Sequence, residues 1–232
     1  MAVFVVAHGA WSSGWAWRNM RPLMRAAGHE ILTPSYTGLG ERAHLASQGV
    51  NLSLHITDVV NVLEFEDLRD VVVIGHSFGG LVATGVADHA RDRVARIIYV
   101  DAFVPEGGQA LMDLLSPQAR DLMKNAAHLA GDGWRVPPRD MPPDTPQELR
   151  AWAMPRRVAH PIAAFEEPLR LSGKPLPMRA YIYCKRIEGE DRFGPFAARA
   201  RRDAWPYAEI DASHNPHITA PQELCALLQQ LA

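Results

Sequence analysis

The sequence predicts an α/β fold in which a mostly parallel central sheet is covered by helices on both faces. Short, uncharged, β-branched runs at 3–8 and 70–75 read as strands buried on both sides. Between and after such runs lie stretches with apolar residues at helical spacing, so strand and helix alternate along the chain. Parallel neighbours need long crossovers, and those helical stretches supply them.

In order, "VFVVAH" (3–8) is the first strand. Ser12 and Ser13 then offer N-caps for a helix that carries Trp15, Met20, Leu23 and Met24 and ends near Gly28. "EILTPSY" (30–36) is a second strand whose end Pro34 weakens. A glycine-rich loop without clear pattern spans 38–49, and Ile56, Val59, Val60 and Leu63 mark a helix. "DVVVIG" (70–75) is the central strand, followed by a helix at 79–90 and a strand at 95–101. Beyond Pro105 the character changes, because 12 of the 18 prolines fall between Pro105 and Pro177. A stretch so rich in proline cannot join the sheet. It offers short helical pieces at 109–124 and 147–153, no strand, and the large side chains Trp134, Trp152, Met123, Met141 and Met154. It is expected to form a cap over a site. Alternation resumes with a strand at 179–184, a helix around 195–203, a strand at 207–211 and a C-terminal helix at 221–231. The expected organisation is a core of residues 1–104 and 178–232 with a cap inserted at 105–177.

The 232 residues suit one large domain, expected to bury about 70–75% of its unfolded surface. A net charge of −2 without long runs of one sign argues against a nucleic-acid or polyanion partner. No apolar run approaches the roughly 20 residues of a membrane span, and the N-terminus lacks a charged segment before its short apolar run. A soluble, cytoplasmic protein is the expectation. Cys184 and Cys225, far apart in apolar surroundings, read as buried thiols rather than a disulfide. The oligomeric state is not readable, and a homodimer stays open.

Ligands of such sheets bind beyond the C-terminal ends of the strands, so chemistry belongs there. The strand at 70–75 ends in "GHSFGG", a Gly-x-Ser-x-Gly pattern between a strand and a helix. That spacing suits a strained turn that lifts the Ser77 hydroxyl above the sheet, with small neighbours on either side. Acyl transfer also needs backbone N–H groups aimed at a developing oxyanion. Phe78, after the serine, and Ala10, in "HGAW" after the first strand, occupy the positions that supply them. In "EIDASHNPH", His214 follows a strand end and the serine in chain order, which suits a general base; His217 is its rival. His8 reads as structural, and no histidine pair has metal-ligand spacing.

With "GHSFGG", "HGAW" and the serine-to-histidine order, the chain resembles the α/β-hydrolase superfamily. Within it, the chain is similar to the branch of plant methylesterases, hydroxynitrile lyases and bacterial esterase relatives. The resemblance covers nearly the whole chain and is strongest at 3–35, 70–108 and 179–232. It implies a serine esterase that needs no cofactor and no metal. Rubber-tree-type lyases carry threonine at the position of Gly9 and lysine after the catalytic histidine, where this chain has Asn215. That difference favours ester cleavage. A hydroxynitrile lyase, a lactonase, or a small-molecule receptor with residual activity are the alternatives.

The acid of the triad departs from the family pattern. Most relatives carry it three residues past the position of Cys184, which here is Ile187. Glu188, Glu190 and Asp191 lie nearby in a charged segment. Asp101 is preferred, because "RIIYVD" runs a buried strand straight into a carboxylate, which is costly unless a partner meets it. The resemblance places its strand between those of Ser77 and 179–184, within reach of His214. The expected site is therefore Ser77, His214 and Asp101 with Ala10 and Phe78. Its expected substrate is a small to medium apolar or aromatic ester.

Overall fold

A computed structural model describes every residue except Glu188. The chain begins with β1 (Val3–Ala7), a single-turn 3-10 helix at Gly14–Trp17, α1 (Met20–Ala26) and β2 (Glu30–Leu32). It continues through α2 (Leu52–Phe65), β3 (Val71–His76), α3 (Gly79–His89) and β4 (Val94–Val100). The following excursion holds α4 (Pro117–Ala130), β5 (Arg135–Val136), α5 (Gln147–Ala153), β6 (His160–Pro161) and α6 (Ala163–Glu166). The chain closes with β7 (Met178–Cys184), α7 (Gly194–Arg202), β8 (Tyr207–Ile210), α8 (Pro216–Thr219) and α9 (Pro221–Leu231).

Six strands form one sheet in the order β2-β1-β3-β4-β7-β8, every neighbour parallel. Alternate side chains feed two apolar cores. Val5, Val73 and Ile97 point to the face covered by α2 and α3, while Phe4, Ile74 and Ile98 point to the face covered by α1 and α9. Both faces are dry, which is why these strands read as continuous apolar runs.

Several sequence expectations shift locally. The first predicted helix is split in two, and neither serine caps it by its side chain. The second strand stops at Leu32, ahead of Pro34. The loop at 38–49 contains a 3-10 turn, Gly40–Leu45. The proline-rich excursion does contain strands: β5 and β6 pair antiparallel as a two-stranded ribbon separate from the main sheet. Among the described residues no helix is long and apolar enough to cross a membrane.

Two glycines set the position of α3. A Cβ on Gly79 would overlap the Ala7 carbonyl, and one on Gly80 would overlap the Phe103 carbonyl. Their absence lets the N-terminus of α3 press against the ends of β1 and β4. The strand ends that matter are thereby drawn together.

Candidate active site

Ser77 sits at the turn from β3 into α3 with φ of 55°, a left-handed conformation that costs a non-glycine residue about 1 kcal/mol or more. Its carbonyl accepts hydrogen bonds from the Gly80 and Phe103 N–H groups at 3.0 and 3.2 Å. These bonds tie the strained residue to the helix and to the loop after β4. The hydroxyl is left facing a cavity.

Asp101 lies one residue past β4, also left-handed at φ 43°. Its N–H donates to the Ile182 carbonyl at 2.8 Å, which anchors the turn on β7. The carboxylate is 4% exposed as a residue, yet both oxygens have partners. Oδ1 accepts from the Cys184 N–H at 3.3 Å and Oδ2 meets His214 Nδ1 at 2.7 Å. A carboxylate can only accept, so Nδ1 carries the proton and Nε2 is left as an acceptor. His214 Nε2 lies 2.9 Å from Ser77 Oγ. Burial beside Asp101 pushes the Cys184 thiol well above its ordinary pKa, so it stays protonated.

Contacts from three further residues hold this chain of side chains in place. The Tyr181 hydroxyl donates to the Ala102 carbonyl at 2.9 Å and accepts from the Ala102 N–H at 3.1 Å, latching the residue after Asp101. Burial, then the Asp101 charge, raises the phenol far above its usual range. On the other side, His76 Nε2 donates to the His214 carbonyl at 2.7 Å, and Phe193 stacks on the His214 ring at 4.8 Å. The imidazole keeps about a third of its surface exposed, on the cavity side.

The remaining sequence candidates do not join this line of hydrogen bonds. Asp191 accepts from the Tyr183 hydroxyl and from the Phe193 and Gly194 N–H groups, so it caps α7. Glu190 faces Ser116 and Arg192 at 3.4 and 3.5 Å. Glu188 lies outside the described residues. His217 is buried flat against Trp17 at 4.6 Å. His8 accepts from the Tyr36 N–H and is held neutral, its pKa lowered to about 4 by burial. The N–H groups of Ala10 and Phe78 have no acceptor among the described residues, and both residues line the cavity.

That cavity holds about 320 Å³, within the range of small-molecule sites. Trp11, Phe103, Leu111, Leu115, Met123, Met141 and Phe193 supply its apolar wall. Met123 and Met141 are thus where the sequence suggested, but Trp134, Trp152 and Met154 are not. Trp152 packs edge-on against Trp15 and beneath Arg18, outside the cavity. Residues that sequence reasoning missed include Tyr181, within β7, and Phe193, directly before α7, which no local pattern marks, and two arginines, Arg139 and Arg157.

A six-stranded parallel sheet with a serine at a strand–turn–helix elbow and a histidine beyond a later strand defines an α/β enzyme of the hydrolase type. The chain belongs to the alpha/beta hydrolase family, whose sequence pattern matches residues 3–227. It is 37% identical over 245 aligned residues to the carbendazim hydrolyzing esterase of Nocardioides sp. (strain SG-4G), with 100% of both chains covered. To Methylesterase 7 of Arabidopsis thaliana it is 27% identical, with 99% of this chain and 95% of the relative covered. Among solved structures, an extracellular alpha/beta-hydrolase from a Paenibacillus species superposes with a TM-score of 0.86 at 22% identity, over 100% of this chain and 99% of that one. A methylesterase from Arabidopsis superposes at 0.72 and 21%, over 99% and 98%. These two superpositions bear on the fold.

Proposed function

We propose that the chain is a serine carboxylesterase that cleaves a small to medium ester through an acyl-enzyme on Ser77. The observation that carries the reading is the unbroken line Asp101–His214–Ser77, at 2.7 and 2.9 Å, ending on an apolar-walled cavity. Full-length similarity to an esterase supports it. His214 Nε2 takes the Ser77 proton as Oγ attacks the ester carbonyl. Asp101 holds the imidazole in the Nδ1–H tautomer and stabilises the imidazolium that forms. The free N–H groups of Ala10 and Phe78 receive the oxyanion; losing one such donor costs about 10²–10³ in rate. His214 then protonates the departing alcohol, and water, activated by the same nitrogen, releases the acid. Residues 105–177 act as the cap, contributing Leu111, Leu115, Met123 and Met141 to the acyl or alcohol pocket.

Gly9 favours ester cleavage over the lyase alternative. A Cβ at that position would lie 2.8 Å from His76 Nδ1 and 3.1 Å from Ser77 Cβ, so a threonine does not fit without displacing both. The test is covalent. A sulfonyl fluoride should add once, to the peptide containing Ser77, and Ser77→Ala should lose the adduct together with about 10⁴-fold or more of its turnover of p-nitrophenyl acetate. Wild-type turnover retained by Ser77→Ala, or a single slow burst from wild type, would overturn the reading.

A further inference from the structure

The cavity wall is unusually charged for an apolar-ester site, and its charges are unevenly satisfied. Asp140 accepts from Arg150 at 2.5 Å and from the Met141 N–H at 2.8 Å. Glu190 has Arg192, Asp191 has three donors, and Asp101 has His214. Of the cations, Arg186 pairs with Asp211 and Asp144 at 3.1 and 3.7 Å. Two cavity-lining guanidinium groups remain, Arg139 and Arg157. Neither side chain makes a hydrogen bond or ion pair among the described residues.

Arg157 is the more telling. Its Nε is completely covered by protein yet has nothing to donate to. The group lies 5.8 Å from the centre of the Trp11 ring, beside the loop that carries Ala10. Its residue is fixed from behind, since its N–H donates to Met154, while three residues on His160 Nδ1 accepts from the Trp11 N–H at 3.4 Å. Burial lowers its pKa to about 10, which still leaves it cationic at neutral pH. A half-buried guanidinium with no protein acceptor leaves its uncovered Nη groups to solvent or to a ligand in the cavity. Stacking on Trp11 satisfies the ring face but none of the N–H groups. Guanidinium geometry matches a carboxylate with two parallel hydrogen bonds.

We propose that Arg157, aided by Arg139, is a specificity residue, and that the ester taken by this site carries a second, anionic carboxylate that docks on the Arg157 guanidinium. This rests on the esterase reading and narrows its substrate class. The apolar wall then receives the spacer between the scissile ester and the carboxylate.

The test uses two matched pairs that replace a methyl by a carboxylate. Mono-4-nitrophenyl glutarate against 4-nitrophenyl pentanoate probes the acyl side, and 4-acetoxybenzoate against 4-methylphenyl acetate probes the alcohol side. Rates are corrected for uncatalysed hydrolysis. In one pair, wild type should prefer the carboxylate ester in kcat/KM. Arg157→Met should cut that ratio about 10- to 100-fold, chiefly through KM, with Arg157→Lys intermediate. The ratio on one preparation cancels any general loss of fold or activity. Calorimetric binding of the two carboxylate esters to Ser77→Ala and to Ser77→Ala/Arg157→Met reads the same subsite without chemistry. Ratios unchanged by Arg157→Met in both pairs, with turnover intact, would overturn the subsite and leave the esterase standing. Absent turnover with Arg157-dependent binding would do the reverse.

Discussion

Acid should unfold this protein early, because five of its ten histidines are buried and held neutral. Burial alone lowers His8 to about 4, against the Gly9 hydrogen bond and the Glu41 charge; burial reinforced by neighbouring positive or titrating groups lowers His55 and His217 to about 3, and His76 and His160 well below the ordinary value. In the unfolded chain each titrates near 6.5. Below that pH the unfolded state binds more protons, so stability is complete above about 6.5 and is lost as pH falls toward the folded-state values. Between pH 7.0 and 5.5 each such histidine costs about 1 kcal/mol, and the five together several kcal/mol, on the order of 5. A domain of this kind has about 5–15 kcal/mol in all. Urea unfolding followed by circular dichroism at pH 7.5, 6.5 and 5.5 measures the loss directly. His55 identifies its source. Neither ring nitrogen has a hydrogen-bond partner, and Nδ1 is 4.0 Å from an Asp58 carboxylate already engaged by Thr37 and Arg42. Stacked on Tyr36 at 4.8 Å, it tolerates phenylalanine, and His55→Phe should remove about one fifth of the pH dependence. A stability that falls by less than about 2 kcal/mol between pH 7 and 5.5 would refute the reasoning.

Two substitutions probe the supports of the site. Gly9→Ala should lower kcat/KM for p-nitrophenyl acetate about 10- to 100-fold, because its methyl displaces His76 and with it the His214 carbonyl that His76 holds; a wild-type rate would contradict this. Tyr181→Phe should cost about 2 kcal/mol in urea unfolding by leaving the Ala102 N–H and carbonyl buried without partners. A change under about 0.5 kcal/mol would show that Tyr181 is no latch.

The legible parts of this protein are those written locally. "GHSFGG" holds the elbow because a strained serine needs small neighbours within two residues, and Asp101 stands out because a carboxylate ends an apolar strand. His214 is found by chain order. The tryptophans mislead for a physical reason: amphipathic side chains such as Trp152 also stack on arginines at the surface, and composition does not separate that from a pocket wall. The pairing of β5 with β6 is two residues long and carries no period to read. Arg157 is invisible in sequence, since only the absence of a partner makes it informative. The short α8, which begins two residues after His214, is hidden by its length.

Catalysis turns on Asp101 as partner of His214, and comparing Asp101→Asn with Asp191→Asn tests that role most directly. With folding verified for both, turnover of p-nitrophenyl acetate should fall about 10³–10⁴-fold in Asp101→Asn, where the imidazole loses its tautomeric anchor. Asp191→Asn, which alters the cap of α7 and the bond from the Tyr183 hydroxyl but does not touch His214, should keep activity within a few-fold of wild type. Near-wild-type turnover by Asp101→Asn would contradict the account and return the search for the acid to the loop after β7.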